Sequence, residues 1–252
     1  MNSSEDSNKT NQASQTNWAA RSNIRSILFL IGIWSIFAFG WIAGIGPKEG
    51  IRRISSLLPG NASATPSLVK SYYNDRISQF DLYGKPARIV MAGDSITCLC
   101  EWAELLPTRD VANRGIGGDT SEGLLKRLPG IIKLHPEKVF VMIGMNDLLG
   151  GIDPEKVSTN QKLIIQTLRK EGITVGVFPI LYAGKRYSQV NSKVTLVDKQ
   201  LEEFCASESI TFIDLNTRLS ENAELRPDCT GDDLHVNGHG FVLWRDMLAA
   251  YL

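Results

Sequence analysis

The stretch IVMAGDSIT, residues 89–97, decides the interpretation of this chain. Its first four residues are apolar or small, as in a strand buried on both faces of a sheet. Gly93 then ends the run, and Asp94 and Ser95 follow side by side before residues that are compatible with a helix. Because Gly-Asp-Ser is common in turns and serine caps helices, a plain turn is one interpretation. A reactive serine is the other.

Apolar runs of this kind alternate with helical patterns along the rest of the chain. The sequence predicts strands at 88–92, 111–113, 138–143, 174–179 and 211–215, and helices near 97–106, 120–134, 154–170, 190–207 and 241–252. Continuous apolar strands separated by helices are typical of a parallel sheet covered on both faces. The predicted fold is therefore α/β, a three-layer α/β/α sandwich with a sheet of about five parallel strands.

Polar or glycine-rich segments follow the predicted strands. They are GDS at 93–95, NRGIGGDT at 113–120, GMND at 144–147 and a late GDDLH at 231–235. In open parallel sheets, ligands bind at the carboxyl ends of the strands. We therefore expect the four segments to meet at one rim, which favours a functional site over four unrelated turns.

A base for Ser95 has to come from the three histidines of the chain. His135 lies between a predicted helix and a predicted strand, at the opposite rim, where a structural role is expected. His239 begins the last helix as a cap or surface residue. His235 follows Asp232 by three residues, a spacing that lets one loop hold a carboxylate against an imidazole and fix its tautomer. A serine becomes a good nucleophile when such a base takes its proton.

Two residues after other strands are candidate hydrogen-bond donors. An attacked carbonyl needs donors aimed at its developing charge, and the amides of Ser95 and Gly118 and the side chain of Asn146 can supply three. A tight turn or a phosphate cradle is the alternative for GIGGD. The dinucleotide pattern begun at Gly115 would need glycine where Thr120 stands, and the chain has no Walker-type lysine motif.

No metal and no cofactor are predicted. His235 and His239 lie four residues apart, as metal ligands can, but no HExxH-type glutamate or third ligand set accompanies them. The α/β-hydrolase elbow G-x-S-x-G is also excluded, because Thr97 stands where its second glycine would be.

With these residues, the chain resembles the SGNH (GDSL-type) hydrolases over residues 68–252. Four segments in order carry the resemblance: Gly93-Asp94-Ser95, Gly118 within NRGIGGDT, Asn146 within GMND, and Asp232-x-x-His235. The resemblance implies a flavodoxin-like SGNH fold, with Ser95 as nucleophile, His235 as base and Asp232 as its orienting carboxylate. It also implies an oxyanion hole made by Ser95, Gly118 and Asn146.

The segment NRGIGGDTSEGLLKRL and the preceding YYNDRISQF look closest to the branch of platelet-activating-factor acetylhydrolase subunits and carbohydrate acetylesterases. That branch implies a serine esterase acting on small, acetyl-like esters. Transfer of an acyl group to a sugar or cell-envelope acceptor, a lysophospholipase or thioesterase activity, and a silent carbohydrate-binding module are the alternatives. Cys98, three residues after Ser95, is an alternative nucleophile without an evident partner.

The beginning of the chain predicts a membrane attachment. Residues 1–25 are mostly polar and are expected to be disordered. Residues 26–46 carry no charge and match the roughly 20 residues of a membrane-spanning helix, with a cleavable signal peptide or a buried core helix as alternatives. Residues 47–67 are a predicted linker to the domain at 68–252, whose lead-in is expected to be an amphipathic helix.

Charge and cysteine content set the expected surroundings. With 27 basic and 27 acidic side chains, the chain shows no charge excess for nucleic acid. Its expected partners are a small-molecule or carbohydrate acyl ester and the membrane, while the oligomeric state stays open. We expect the domain to lie outside the cytoplasm, where Cys229 could pair with Cys98 or Cys100; Cys205 is the fourth cysteine.

Overall fold

The computed structural model describes residues 66–252. The predictions made for residues 1–25, for the membrane-spanning helix at 26–46 and for nearly all of the linker at 47–67 lie outside the described residues. Within 66–252, none of the helices has both the length and the apolar character needed to cross a bilayer.

The described residues alternate between strands and helices as predicted. The helices are α1 (Pro66–Tyr83), α2 (Ser95–Cys98), α3 (Trp102–Leu105), α4 (Ser121–Lys126), α5 (Leu128–Ile132), α6 (Met145–Leu149), α7 (Pro154–Lys170), α8 (Asn191–Ser207), α9 (Asn216–Leu219) and α10 (Gly238–Leu248). The strands are β1 (Ile89–Gly93), β2 (Val111–Gly115), β3 (Lys138–Met142), β4 (Thr174–Val177), β5 (Thr211–Phe212), β6 (Ser220–Glu221) and β7 (Glu224–Leu225). Short 3-10 helices cover Lys185–Val190, Pro227–Cys229 and Ala249–Tyr251.

Five strands form one parallel sheet in the order β2-β1-β3-β4-β5, which confirms the predicted five-stranded parallel sheet. From β1 the chain moves outward to β2 and then crosses to the other side of β1 to form β3. The carboxyl ends of β1 and β3 therefore flank the point where the direction of winding reverses. Such a point is where open α/β sheets bind their ligands.

Alternate residues of the strands enter two separate apolar clusters, one on each face of the sheet. Met91 and Phe140 point into the first, together with Trp102 of α3 and Trp244 of α10. The second contains the intervening strand residues such as Val90, packed against α4, α5, α7 and α8. Burial of each large apolar side chain contributes about 1.5–3 kcal/mol, so both faces need their helices. The result is the expected three-layer arrangement.

The helix predicted at 97–106 is instead two short helices, α2 and α3. Asn113 of β2 causes the break, since its side-chain Nδ2 donates to the carbonyls of Thr97, Cys98 and Cys100 at 3.2, 3.0 and 3.0 Å. These carbonyls thus gain a partner outside a helix, as buried backbone groups require. The indole of Trp102 donates to the same Thr97 carbonyl at 3.0 Å.

Other predicted elements are divided or shorter than expected, and the strand predicted at 174–179 ends at Val177. The helix predicted at 120–134 is divided at Arg127 into α4 and α5, with Pro129 in the first turn of α5, where a missing amide proton costs least. The strand predicted at 211–215 is a strand over Thr211–Phe212 alone. The Ile213 amide still donates to the Val177 carbonyl at 2.8 Å before the chain turns away.

Candidate active site

Ser95 is the first residue of α2, directly beyond β1, as the opening segment predicts. The buried carboxylate of Asp94 caps this helix by accepting a hydrogen bond from the Ile96 amide at 3.0 Å. Ser95 itself is half-buried. Within the Gly-Asp-Ser segment, Asp94 therefore caps a helix while Ser95 presents an accessible hydroxyl. The turn interpretation and the reactive-serine interpretation are compatible.

The loop before α10 brings His235 and Asp232 to Ser95. His235 Nε2 lies 2.9 Å from Ser95 Oγ, and His235 Nδ1 lies 2.7 Å from Asp232 Oδ2. When Nδ1 donates its proton to the carboxylate, Nε2 is the acceptor that faces the serine hydroxyl. The three side chains thus form a continuous chain of hydrogen bonds across residues far apart in sequence.

Backbone amides hold the Asp232 carboxylate in this orientation. Its Oδ1 accepts from the amides of His235 and Leu234 at 2.8 and 3.0 Å. Burial alone would raise the pKa of Asp232, but the hydrogen bonds from the His235 side chain and from these two amides outweigh it and lower the pKa to about 2. The carboxylate is therefore ionised at neutral pH and stabilises positive charge on His235.

The loop itself is fixed at both ends. Thr230 Oγ1 accepts from the amides of Asp232 and Asp233 at 3.3 and 3.0 Å, and Thr230 pairs with Val236 in an isolated β-bridge. Asp233 adopts a φ of 70°, and its carbonyl accepts from the Gly184 amide at 2.7 Å. A side chain at Gly184 would collide with Asp233. The segment that follows β4 therefore supports the histidine loop.

The two remaining predicted residues follow β2 and β3. Gly118 has a φ of 77°, a conformation that favours glycine, and a Cβ built there meets nothing within 4 Å. Asn146 lies in the first turn of α6, where its Nδ2 donates to the Asp119 carbonyl at 2.9 Å. Because a side-chain amide has two N–H donors, this bond leaves the second for a ligand.

A buried ion pair that the sequence analysis missed lies beneath these donors. Arg127 donates to Asp119 Oδ2 at 2.8 Å, with side chains 6% and 1% exposed, and also to the Gly93 carbonyl at 3.0 Å. Burial raises the pKa of Asp119, although Arg127 acts in the opposite direction. The pair connects the loop of Gly118 to the end of β1, and so sets the position of both donors relative to Ser95.

A second buried network joins the same region to α7. The carboxylate of Asp147 accepts from the Ser121 amide and hydroxyl at 2.9 and 2.6 Å, and Asn160 donates to that hydroxyl oxygen at 2.9 Å. Asp147 directly follows Asn146, so α6 is held in place from both sides. The sequence signal was the GMND segment itself, in which the second polar residue went unassigned.

Asp94 is the second buried acid of the site. It is 1% exposed, and its Oδ2 has no hydrogen-bond partner among the described residues. Burial, assisted by the nearby negative charges of Asp119 and Asp147 and opposed by the Ile96 amide and His235, raises the pKa of Asp94 to about 7. Burial therefore favours the protonated form of this carboxyl group well above its ordinary pKa.

All four cysteines are free thiols in the structure, so the pairings considered for Cys229 are not formed. Cys98 is half-buried, with its Sγ 3.7 Å from the Tyr72 hydroxyl of α1. Burial raises the pKa of Cys100 to about 12 and of Cys205 to about 11.

The other two histidines lie away from Ser95. His135 adopts a φ of 50° between α5 and β3, in line with a structural role. His239 lies in the first turn of α10, with its Nε2 3.5 Å from Asp228 Oδ2. Although Asp228, Cys229 and His239 have ligand atoms within 4.8 Å of one another, Arg226 already binds both carboxylate oxygens of Asp228, which makes this a poor cation site.

The arrangement can carry out acyl transfer. A hydroxyl bonded to an imidazole, which is bonded in turn to an ionised carboxylate, is the geometry that activates a serine. Backbone and side-chain amides that follow three strands, β1, β2 and β3, are available for an oxyanion.

Comparisons with known proteins point in the same direction. The model of the GDSL-like Lipase/Acylhydrolase family matches residues 91–242. Thioesterase 1/protease 1/lysophospholipase L1 of Escherichia coli is 29% identical over 172 residues, which cover 64% of this chain and 78% of the relative. N-acylneuraminate cytidylyltransferase of Streptococcus agalactiae is 28% identical over 166 residues, or 66% of this chain, and the chain spans only 38% of the length of that relative.

A solved structure agrees on the fold. A GDSL-like lipase from Bacteroides thetaiotaomicron superposes with a TM-score of 0.61 at 21% identity, over 73% of this chain and 96% of the lipase. At this identity the likeness concerns the fold alone.

Proposed function

Because this chain belongs to the GDSL-like Lipase/Acylhydrolase family, we propose that it is a serine ester hydrolase working through an acyl-serine intermediate. The hydrogen-bond chain from Ser95 through His235 to Asp232 is the observation that carries the proposal. In this reaction Ser95 is the nucleophile, His235 the general base and Asp232 the group that orients the imidazole.

The proposed reaction has two halves. Ser95 Oγ attacks the ester carbonyl carbon while His235 Nε2 takes the hydroxyl proton, and the proton then passes to the leaving alcohol as the ester C–O bond breaks. Water next attacks the acyl-serine, giving its proton to His235, and the carboxylic acid leaves as Ser95 regains a proton. Throughout, the ionised Asp232 stabilises the imidazolium.

The proposed oxyanion hole consists of the amides of Ser95 and Gly118 and the side chain of Asn146. Its donors act on the negative oxygen that forms when the carbonyl carbon becomes tetrahedral. The bond from Asn146 to the Asp119 carbonyl supports this role, because it orients the side chain before the substrate arrives.

We favour small, acetyl-like acyl groups, as in the acetylhydrolase and carbohydrate-acetylesterase branch. Two of the connections that carry the site are short, since β1 leads to α2 through Asp94 alone and β3 leads to α6 through Ile143 and Gly144. Neither can form a lid over a long chain. A carbohydrate ester is the favoured substrate. Because the relative from Streptococcus agalactiae is named for N-acylneuraminate, we regard an O-acylated sugar of that kind as the first candidate.

Cleavage of longer acyl chains is the second candidate function. It is favoured by the relative from Escherichia coli, which is named as a thioesterase and lysophospholipase. Transfer of the acyl group to a sugar or cell-envelope acceptor is a third outcome of the same acyl-serine, with an alcohol in place of water. The half-buried position of Ser95 leaves access for water, and for that reason we favour hydrolysis.

We also propose that residues 26–46 are an uncleaved single-pass anchor, with the catalytic domain outside the cytoplasm. The uncharged stretch is longer than the 7–15-residue core of a signal peptide. Acyl esters on envelope glycans would then lie on the same side of the membrane as Ser95.

A fluorophosphonate probe, which reacts with activated serines, tests the mechanism directly. The full chain should be labelled at Ser95, and labelling should disappear in Ser95→Ala and fall sharply in His235→Ala. Ser207→Ala, at an exposed serine of α8, is the matched control and should label normally. Labelling that persists in Ser95→Ala would refute the mechanism and direct attention to Cys98.

Chain length is tested on the same protein with p-nitrophenyl esters from acetyl to dodecanoyl. We expect kcat/KM to be highest from acetyl to butyryl. A steady rise towards dodecanoyl would establish the long-chain candidate instead, and product analysis with added sugar alcohols separates transfer from hydrolysis.

A further inference from the structure

A groove away from Ser95 runs along the outer edge of the sheet, between α1 and β2. Its volume is about 440 Å³, and β2 is the first strand in the sheet order. Three basic side chains line it, namely Arg76 of α1, Arg114 of β2 and Lys85, which lies between them in sequence. None of the proposed catalytic residues belongs to its lining, so the groove needs its own explanation.

Arg114 is a buried charge without a counterion in the described part of the chain. It is 8% exposed, its Nη1 donates to the Asn113 carbonyl at 2.8 Å, and its Nε has no hydrogen-bond partner there. Burial, together with the positive charges of Arg76 and Arg127, lowers the pKa of Arg114. A buried charge that lacks both a counterion and a full set of hydrogen bonds is unfavourable, unless a ligand supplies them.

Arg76 repeats this pattern on the other side of the groove. Its Nη1 donates to Gln79 at 2.7 Å, and its Nε is buried without a partner among residues 66–252. The guanidinium carbons of Arg76 and Arg114 lie 4.8 and 4.6 Å from the ring centroid of Phe80. A cation–π contact engages the face of a guanidinium and leaves its in-plane N–H groups free to bind an anion.

Phosphate is the anion that fits these groups. The planar fork of an arginine can donate to two oxygens of one phosphate. The two arginines and the lysine carry three positive charges, more than the single negative charge of a carboxylate ligand would balance. One acidic residue, Asp110, also lines the groove, and its carboxylate is engaged by the Arg88 amide at 3.1 Å. The three basic side chains and Asp110 together carry a net charge of +2, which would balance the charge of a phosphate dianion.

We infer that the groove between α1 and β2 binds a phosphate group, held by Arg76 and Arg114 against Phe80. The volume leaves room for the organic part of a phosphate ester next to the exposed ring of Tyr83. The phosphate could belong to a soluble organic phosphate or to a lipid headgroup, and both present the same chemistry to the arginines.

Calorimetric titration of the full chain with inorganic phosphate and with glycerol 3-phosphate tests the site. Since each arginine would donate charge-assisted hydrogen bonds to the phosphate, Arg76→Gln and Arg114→Gln should each weaken binding by about tenfold or more. Arg169→Gln, at an exposed arginine of α7, is the matched control and should bind as the wild type does.

Circular dichroism reports whether each variant is folded. If Arg114→Gln is not folded, Arg76→Gln and the charge-conserving Arg114→Lys still decide the matter, because both should bind phosphate more weakly than the wild type. The inference is overturned if the wild type binds neither ligand, or if folded Arg76→Gln and Arg114→Lys bind as tightly as the wild type.

Calorimetric titration of the full chain in detergent micelles with phosphatidic acid, compared with phosphatidylcholine at the same concentration, separates the two sources. A gain in binding with phosphatidic acid that is lost in Arg76→Gln assigns the site to a lipid headgroup. Tight binding of glycerol 3-phosphate without such a gain assigns it to a soluble phosphate. Either result supports the site.

Discussion

The side-chain amide of Asn146 donates a hydrogen bond to the main-chain carbonyl of Asp119 at 2.9 Å, so that one proposed oxyanion donor is fixed by the loop that carries another. The loop is fixed in turn by the ion pair between Asp119 and Arg127. The donors are therefore aligned by the folded chain itself, which is the condition for electrostatic stabilisation without reorganisation during the reaction.

Asn146→Ala should lower kcat by about 10²–10³-fold with a smaller change in KM, because the lost donor acts mainly on the charged transition state. Steady-state kinetics with p-nitrophenyl acetate measures both constants. Asn74→Ala, at an exposed position of α1, is the control and should behave as wild type. An increase in KM alone would make Asn146 a substrate-binding residue instead.

Ser95→Ala and His235→Ala should each abolish nearly all esterase activity, and the double variant should be little worse than either, because both act on one proton transfer. The comparison is made on kcat, after circular dichroism has established that all three proteins are folded. Losses that multiply in the double variant would mean that the two residues act in separate steps.

Asp94→Asn should change the pH dependence of stability. Between its ordinary pKa of 3.8 and the folded-state value of about 7, the folded chain keeps a proton on Asp94 that the unfolded chain has lost. This contribution to wild-type stability is complete below the lower value and is lost as pH rises through the upper one.

Asparagine does not titrate but can still cap the Ile96 amide. The unfolding free energy of Asp94→Asn minus that of the wild type should therefore increase as pH rises from about 4 to 7. The increase should be up to about 1.4 kcal/mol for each unit by which the pKa of Asp94 is raised. Urea titrations at both pH values measure the difference. A difference that does not vary with pH would contradict the buried, protonated state of Asp94.

Arg127→Met should destabilise the fold by about 3–5 kcal/mol, because it leaves the Asp119 carboxylate buried without its partner. The double variant with Asp119→Asn should recover part of the loss. Arg169→Met breaks an exposed pair with Glu208, and a change of about 0–1 kcal/mol is expected there. Equal losses for the buried and the exposed arginine would contradict the argument.

Added protease should degrade the catalytic domain in intact spheroplasts, and the chain should keep its full length, if residues 26–46 are an anchor and the domain is outside. A cytoplasmic marker protein that survives the treatment is the control. Protection of the domain would reverse the orientation, and a shorter, soluble product would show that the segment is a cleaved signal.

The loop of Asp232 and His235 lies between β7 and α10 and follows no strand of the parallel sheet. The ends of β1, β2 and β3 could be predicted from sequence, because GDS, NRGIGGDT and GMND each come at the end of a visible apolar run, and parallel strands bring their carboxyl ends to one rim. The pairing of Asp119 with Arg127 could not, since it joins a loop to a helix boundary eight residues away and follows no helical or strand period. The break after α2 was equally hidden, because its cause is the side chain of Asn113 on another strand.

The acid–base pair of this site is carried by one loop. Asp232 and His235 share a single loop, whereas Ser95 belongs to α2, 140 residues earlier in the sequence. A shift of the loop would carry the imidazole and its carboxylate together, leaving their tautomer and charge unchanged. The alignment of the base with the nucleophile therefore depends on one interatomic separation, that between His235 Nε2 and Ser95 Oγ.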